Sequence, residues 1–369
     1  MNGEIDLRTE GTLGRDYEAA TIAYKLYERG AVPLDDEIAR DLDALLTAYE
    51  KEVVASTEQT TITADGDARP IPPAPPYVME DALRELFLEE TEIEDLLTLW
   101  RAKKNLILQG PPGVGKTFVA RRLAFLVMGH RDQARMRMVQ FHQAYTYEDF
   151  IQGYRPSENG GFIRRDGAFF DFAKLAEADL DRPYVFIIDE INRGNLSKIL
   201  GELMMLLEPD KRGPEYGIPL AYSRPDEAPF SVPKNLFVLG LMNTADRSLA
   251  MVDYALRRRF VFHMLEPQFG GDKFRSHLVQ RGASPQLIDL IIDRLTALNT
   301  EIAMDRVRLG PGYQIGHSFF SPADEVQALD AAWYRRIIRY EISPLLREYW
   351  SEDADKAEAW TNTLCEGIG

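Results

Sequence analysis

Eight consecutive residues restrict this chain more than any others: Gly110, Pro111, Pro112, Gly113, Val114, Gly115, Lys116 and Thr117. They stand between a short apolar run, "NLILQ", and a segment of helical character, "GKTFVARRLAFLVMG". A strand, then a glycine-rich turn, then a helix opening on Lys-Thr is the setting in which this spacing becomes a phosphate-binding device. The glycines let backbone N–H groups curl around an anion. The helix N-terminus adds partial positive charge. Lys116 is placed to neutralise the β- and γ-phosphates, and the Thr117 hydroxyl to ligate Mg²⁺. A purely structural turn requires neither residue. The segment from Gly110 to Thr117, with Phe118 behind it, is therefore expected to bind a nucleoside triphosphate.

The surrounding texture agrees with that expectation. "YVFIIDE" and "NLFVLGLMNT" are nearly continuous apolar runs, as strands buried on both faces of a parallel sheet require. Helical stretches alternate with them, among them "MEDALRELFLEETEIEDLLTLWRAKK", "GAFFDFAKLAEAD" and "NLSKILGELMMLLE", the last expected as one helix. The fold class is α/β, a phosphate-loop core with a mostly parallel sheet over residues 78–266. From Pro267 the pattern is helical, giving an all-α C-terminal domain over 267–369 with "SPQLIDLIIDRLTALNTEIA" and "AAWYRRIIRYEISPLLREYW" as its clearest helices. Residues 1–57 read as a short helical region containing two amphipathic helices. Residues 58–77, polar and then proline-rich, read as a linker.

Charge is unevenly spread. Residues 1–100 carry 8 Lys+Arg against 24 Asp+Glu, a net of −16, whereas residues 101–369 carry 35 of each. A region that gripped duplex DNA by itself would be basic. Contact with nucleic acid is therefore expected through a local patch elsewhere or through a partner. One cysteine, Cys365, excludes a disulfide framework. No apolar run approaches the length of a membrane helix, and the acidic start "MNGEIDLRTEG" does not read as a signal peptide. The expectation is a cytoplasmic protein with no membrane partner.

Three further groups are expected at the phosphate loop. Asp189 ends an apolar strand and so emerges at the carboxyl edge of the sheet, where a carboxylate can hold Mg²⁺. Glu190 beside it can orient and deprotonate an attacking water. Asn243 ends the second buried strand at the same edge, where a neutral amide can hold that water or the γ-phosphate without adding negative charge. This is the sensor position of AAA+ modules. The run Arg257-Arg258-Arg259 follows a short helix, "VDYAL". Three adjacent cations repel unless anions face them, and a phosphate bound by a neighbouring subunit is such an anion. An arginine supplied in trans implies a ring.

Taken together, "GPPGVGKTFVARRLA", "MVQFHQAYTYEDFIQGYRP", "FIIDEINRGNLSKILGELMMLLE", "GLMNTADRSLAMVDYALRRRF" and "GYQIGHSFF" resemble the McrB family over roughly residues 78–365. These are the GTP-dependent AAA+ motor subunits of McrBC-type modification-dependent restriction systems. The resemblance implies an AAA+ core with a helical lid, GTP in preference to ATP, Mg²⁺, a hexameric ring, and a partner subunit of the McrC type that stimulates hydrolysis and carries the nuclease. Motor action on DNA then occurs through the complex. The resemblance further implies that Lys116 and Thr117 hold phosphate and Mg²⁺, that Asp189 is the Mg²⁺ carboxylate and Glu190 the general base, and that Asn243 is the sensor. Asn192 is the position through which the partner acts, and Arg258 and Arg259 are the trans fingers. Gly316, His317 and Ser318 open the lid beside the nucleotide, with a capping role as the other reading of His317.

Base choice does not follow from the residues, since the "NKxD" signature of small GTPases is absent. Asp81 and Glu85 are candidate guanine readers. "RPSENGGFIRRDGAFFDF" reads as a hairpin turning at Gly160-Gly161, and its Arg164-Arg165 pair is open to three readings: a DNA-tracking tip, an inter-subunit loop or a partner contact. The family also usually carries a domain reading modified bases, whereas the segment before the core lacks the basic, aromatic surface such reading needs. Two other functions stay open: an ATP-dependent remodeller of the MoxR or chelatase kind, and a ring that holds nucleotide only structurally. "MNTADRS" and the "QFH" segment disfavour the first; Glu190, Asn243 and Arg258 disfavour the second.

Overall fold

The structure, a computed structural model, describes residues 74–157, 160–246, 254–322 and 328–367. The expected N-terminal helices and most of the linker lie outside the described residues.

Five strands form the central sheet: β1 (Asn105–Gly110), β2 (Met136–Gln140), β5 (Tyr184–Asp189), β6 (Leu236–Asn243) and β7 (Val261–Met264). Two more, β3 (Gln152–Pro156) and β4 (Phe162–Asp166), pair antiparallel as a separate hairpin. The order across the sheet is β2-β5-β6-β1-β7, and every pairing is parallel. Parallel pairing forces each connection to cross a face, so both faces are covered. One face packs through Ile107, Phe186, Ile188 and Val238 onto Phe150, Phe169 and Phe172. The other packs through Leu106, Leu108, Val185 and Leu239 onto Trp100 and Leu123. Side chains alternate between these two cores along each strand, which is why β1, β5 and β6 read as unbroken apolar runs.

Local chemistry sets the joints. Lys104, at φ 62°, takes the left-handed conformation at the end of the helix Glu90–Lys103, so that β1 begins at the next residue. β7 was not anticipated. Its four residues follow directly on the arginine run, too short for a period, and are recruited by pairing with Leu106–Gln109 of β1. The helix expected over 195–208 is two helices, Leu196–Leu200 and Leu203–Leu206, interrupted at Gly201 with φ 48° and ψ −129°. A Cβ on Gly201 would press on the Tyr147 ring. The arginines do not follow their helix but form its last turn, Tyr254–Arg259.

The C-terminal part has its own apolar core, centred on Ile291, Leu295, Trp333, Tyr334, Leu346 and Trp350. Its long helix Pro285–Met304 is capped by Ser284. Ala331–Ile337 and Ser343–Tyr349 run together through a π-helical stretch, Ile338–Ile342. Buried Asn299 ties this bundle to the segment that reaches the sheet. Its Nδ2 donates to the Ile315 carbonyl (2.9 Å), and its Oδ1 accepts the Ile315 N–H (2.6 Å). Among the described residues no helix is long and apolar enough to cross a membrane.

Asn299→Ala strands both backbone groups of Ile315. A destabilisation of about 1–3 kcal/mol is expected, together with faster hydrogen exchange at Ile315–Ser318. Unchanged exchange there would show that Asn299 does not hold the segment.

Candidate active site

The parallel sheet delivers the expected residues to one edge. Register sets Gly110 opposite Asn243, and β5 ends alongside at Asp189. The phosphate loop then folds back over the strand ends, with Gly113 (φ 77°) and Gly115 (φ 76°) left-handed. Lys116 opens the helix Lys116–Met128, and its Nζ donates to the carbonyls of Gly110 (2.9 Å) and Pro111 (3.0 Å). Burial pulls its pKa down to about 8, opposed by the nearby carboxylates of Glu190 and Asp189. The ammonium thus sits inside the loop that a phosphate would enter.

Glu190 has φ 50° and ψ 44°, one of two described non-glycine residues at positive φ. Such a conformation costs on the order of 1–3 kcal/mol and recurs at functional sites. Its backbone N–H donates to Asp189 Oδ1 (3.0 Å), and its carboxylate accepts from Arg193 Nε (3.1 Å). Arg193 also lies 3.6 Å from Asp246. Asn243 Oδ1 accepts the Ala245 N–H (3.2 Å), which leaves its NH₂ as a donor. Asn192, buried, donates to the Asn243 carbonyl (3.4 Å), while its Oδ1 accepts no hydrogen bond from the described residues.

The lid segment is brought onto the phosphate loop itself. The Gly316 N–H donates to the Pro112 carbonyl (3.0 Å) and the Ser318 N–H to that of Gly113 (2.8 Å). A Cβ on Gly316 would fall 1.9 Å from the Gly113 carbonyl carbon, so only glycine fits. Thr244 Oγ1 donates to the Gly312 carbonyl (3.0 Å), so the lid touches the end of the sensor strand as well. Between them lies a cleft of about 550 Å³ reached by Arg193, Asn243, Arg308, Tyr313 and Tyr349.

His317 is buried against Phe87 and Phe274, and its Nδ1 accepts the Gln268 N–H (3.1 Å). Burial lowers its pKa to about 4, with the charge of His277 adding to the effect, so the ring is neutral near pH 7 with its proton on Nε2. That is the geometry of the capping reading. Phe118 is partly exposed, with the Arg122 guanidinium 3.5 Å above its ring. It lines a second cleft of about 440 Å³ with Thr117, Arg121 and Arg131. Both candidate guanine readers have other partners: Glu85 is held by Arg122 (2.8 Å) and Arg131, and Asp81 accepts the Val78 N–H and pairs with Arg84.

The two finger candidates differ. Arg259 is nearly covered, its guanidinium on Glu208 Oε1 (2.6 Å), whereas the Arg258 side chain is 76% exposed and 3.6 Å from the same oxygen. In the hairpin, Arg164 is occupied by Glu227 and by the Tyr222 carbonyl, whereas Arg165 is exposed together with Tyr154, Phe162, Ile163 and Asp166. Reading the sequence did not find Arg193, which follows Glu190 by three residues, and the i,i+3 spacing was the available signal.

For Mg²⁺ the donor set fits. Thr117 is exposed, Asp189 forms no ion pair among the described residues, and no three acids, histidines or cysteines converge there. A cation would depend on these two residues and on phosphate oxygens, the pattern Mg²⁺ uses in phosphoryl-transfer sites.

Known proteins resemble the chain in each of its parts. The α-helical lid domain of McrB is matched at residues 290–358, an MrcB-like N-terminal domain at 1–54 and an AAA domain of the dynein-related subfamily at 105–260. The chain is 52% identical over 290 residues to the type IV methyl-directed restriction enzyme EcoKMcrB subunit of Escherichia coli (strain K12), covering 78% of this chain and 63% of that protein. In its lid, its N-terminal segment and most of its length the chain is thus similar to McrB proteins. It is also 28% identical over 222 residues to the type II restriction enzyme BsuMI component YdiS of Bacillus subtilis (strain 168), covering 50% of this chain and 64% of that one. It thus spans a little under two thirds of the length of these relatives. NtrX from Brucella abortus, solved in complex with ATP, overlays 94% of this chain and 80% of its own at a TM-score of 0.36 and 11% identity. The family models at 105–260 and 290–358 describe an AAA module followed by a helical lid.

Bound phosphate favours protonated Lys116, so nucleotide affinity is expected to fall about tenfold per pH unit above pH 8. Lys116→Arg, whose guanidinium stays charged, should flatten that slope while weakening binding overall. Fluorescent-nucleotide titrations from pH 7 to 9.5 measure both, and identical slopes would exclude Lys116 as the group.

Proposed function

We propose that this McrB-like chain is the GTP-hydrolysing AAA+ motor of a McrBC-like DNA restriction or defence system. It works in the cytoplasm as a hexameric ring and drives DNA translocation with a McrC-like nuclease subunit. Residues 78–266 are the motor core and 267–369 its lid, behind an acidic region (1–57) and a linker (58–77). The reading rests on one observation above all: Lys116, Asp189, Glu190 and Asn243 meet at one sheet edge, while the same chain leaves the Arg258 side chain largely exposed beside Glu208. The restriction-enzyme names of the relatives supply the biological setting.

Each residue then has a task. Backbone N–H groups from Gly110 to Thr117 take up the phosphates, and the lid residues Gly316, His317 and Ser318 close the loop from the other side. His317 acts through packing rather than through charge. Phe118 borders the nucleotide beyond Thr117. Mg²⁺, held by Thr117 and Asp189, supplies charge neutralisation at the phosphates. Glu190 accepts the proton of the attacking water, and its left-handed backbone sets where that carboxylate points. Arg193 holds the carboxylate in place. The Asn243 NH₂ donates to the γ-phosphate or to the water. The unengaged Asn192 Oδ1 is an acceptor for a group that completes the site, and Asn192 is where a partner subunit acts. Arg258 neutralises transition-state charge in the neighbouring site, while Arg259, paired with Glu208, holds the helix that carries it.

Steady-state hydrolysis tests the reading. GTP turnover should far exceed ATP turnover and vanish in Glu190→Gln. Equal use of both nucleotides, or preference for ATP, would move the assignment to an ATP-dependent remodeller. Arg258→Ala should lose roughly 10³-fold in kcat with nucleotide affinity retained, whereas Arg259→Ala should lose thermal stability first.

A further inference from the structure

The amino-terminal edge of the sheet, far along the strands from the phosphate loop, contains a buried polar cluster that this chemistry does not use. Arg212 is 1% exposed, and its guanidinium meets no carboxylate among the described residues. It donates instead to the Leu236 carbonyl (2.7 Å), the Leu207 carbonyl (3.3 Å) and Asn105 Oδ1 (2.7 Å). Burial pulls its pKa down to about 9, so the group is still charged at neutral pH. A cation in that position is expensive and needs every one of these oxygens.

What the cation holds is Asn105, the first residue of β1. With Oδ1 fixed by Arg212, the Asn105 Nδ2 donates to the Leu207 carbonyl (2.7 Å) and to the Arg259 carbonyl (3.0 Å). Two residues earlier, Lys103 Nζ donates to the Arg258 carbonyl (3.0 Å). The last carbonyls of the helix Tyr254–Arg259 are therefore capped by side chains from the start of β1. Glu208, in the segment that Arg212 also pins, receives Lys211 (2.9 Å) and Arg259 (2.6 Å) and lies 3.6 Å from Arg258. The side-chain hydrogen bonds and ion pairs given above for the end of this arginine turn run to the 103–105 and 207–212 segments, while Leu256 packs in the sheet core and the Arg257 guanidinium lies over the Phe262 ring. Arg258 keeps most of its side chain in solvent.

We infer that Asn105, oriented by Arg212 and assisted by Lys103, is a positioning residue that sets the reach of Arg258 into the neighbouring subunit's nucleotide site. The inference rests on the reading of Arg258 as an arginine acting in trans. A purely local role is the competing account, because β1 also leads to the chain's own phosphate loop. The two accounts predict opposite results in mixed assemblies. A subunit with a misplaced arginine still has a working site, and that site recovers when the neighbour supplies a well-placed arginine. A subunit with a damaged phosphate loop does not recover.

The experiment uses the full chain and GTP. Asn105→Asp keeps the side-chain volume and the acceptor for Arg212 but cannot donate to two carbonyls. It should lower kcat by about tenfold or more with KM within about twofold. Lys103→Ala, on the surface, should lower kcat less, in the same direction. Mixed in equal amounts with Glu190→Gln, which is inactive but keeps its arginines, either variant should regain turnover. Arg258→Ala mixed with Glu190→Gln is the reference. If the reference recovers and the Asn105 and Lys103 variants do not, the positioning role is overturned and the trans arginine stands. Should the reference itself fail to recover, the trans reading falls and the inference with it. If Asn105→Asp does not fold, Lys103→Ala carries the same comparison alone.

Discussion

The contact on which this molecule depends is the approach of two glycine backbones, Gly113 in the phosphate loop and Gly316 in the lid. A side-chain carbon on Gly316 would overlap the Gly113 carbonyl group, and one on Gly113 would strike the Phe319 ring. Two hydrogen bonds, into the carbonyls of Pro112 and Gly113, fasten the contact. Because these carbonyls face the lid, the loop's N–H groups are left to face an anion. Lid and loop are thus built as one surface. Anything that alters the loop, including a phosphate drawing Lys116 away from the Gly110 and Pro111 carbonyls, is felt directly at the lid. Thr244 on Gly312 gives the sensor strand the same connection. Loop and lid are joined here by backbone packing, with His317 serving as a neutral buried wedge between Phe87, Phe274 and the Gln268 N–H.

Much of this was legible beforehand because it depends on local pattern. β1, β5 and β6 are buried on both faces, so their apolar runs identify them, and parallel pairing then forces Gly110, Asp189 and Asn243 to one edge. The Gly-Lys-Thr turn carries its own chemistry. The parts that were not legible depend on tertiary partners. β7 exists because β1 offers an unpaired edge, not because four residues after an arginine run look like a strand. The break at Gly201 answers to Tyr147, distant in sequence. The difference between Arg258 and Arg259 is invisible in "RRR" and is made by Glu208, which lies 50 residues away. The arginine partners of Asp81 and Glu85, the candidate base readers, are likewise invisible in the sequence.

The buried arginine follows the same logic at greater cost. Nothing in the sequence marks Arg212 as interior, since a lone arginine after Lys211 reads as a solvated turn. The structure places it where two backbone carbonyls and an asparagine oxygen converge, which makes a cation tolerable without a carboxylate. Its neighbour Asn105 was noticed only as the start of a strand. A polar residue at 0% exposure on the central strand is the signal that the segment does more than fill the core.

β1 therefore has two ends with different duties. Its last residue, Gly110, begins the loop that binds this subunit's phosphate, while its first residue, Asn105, caps the helix whose arginine faces outward. The strand is six residues long, roughly 16–20 Å at ordinary strand rise, and it is hydrogen-bonded on both sides by β6 and β7. A strand paired on both edges does not stretch, so a shift of the phosphate loop moves the arginine anchor as part of the same rigid piece. In the proposed ring, that piece would pass a change at one nucleotide site to the Arg258 that the proposal places at the next. Successive sites would then be linked through the core of each subunit, with no separate relay required.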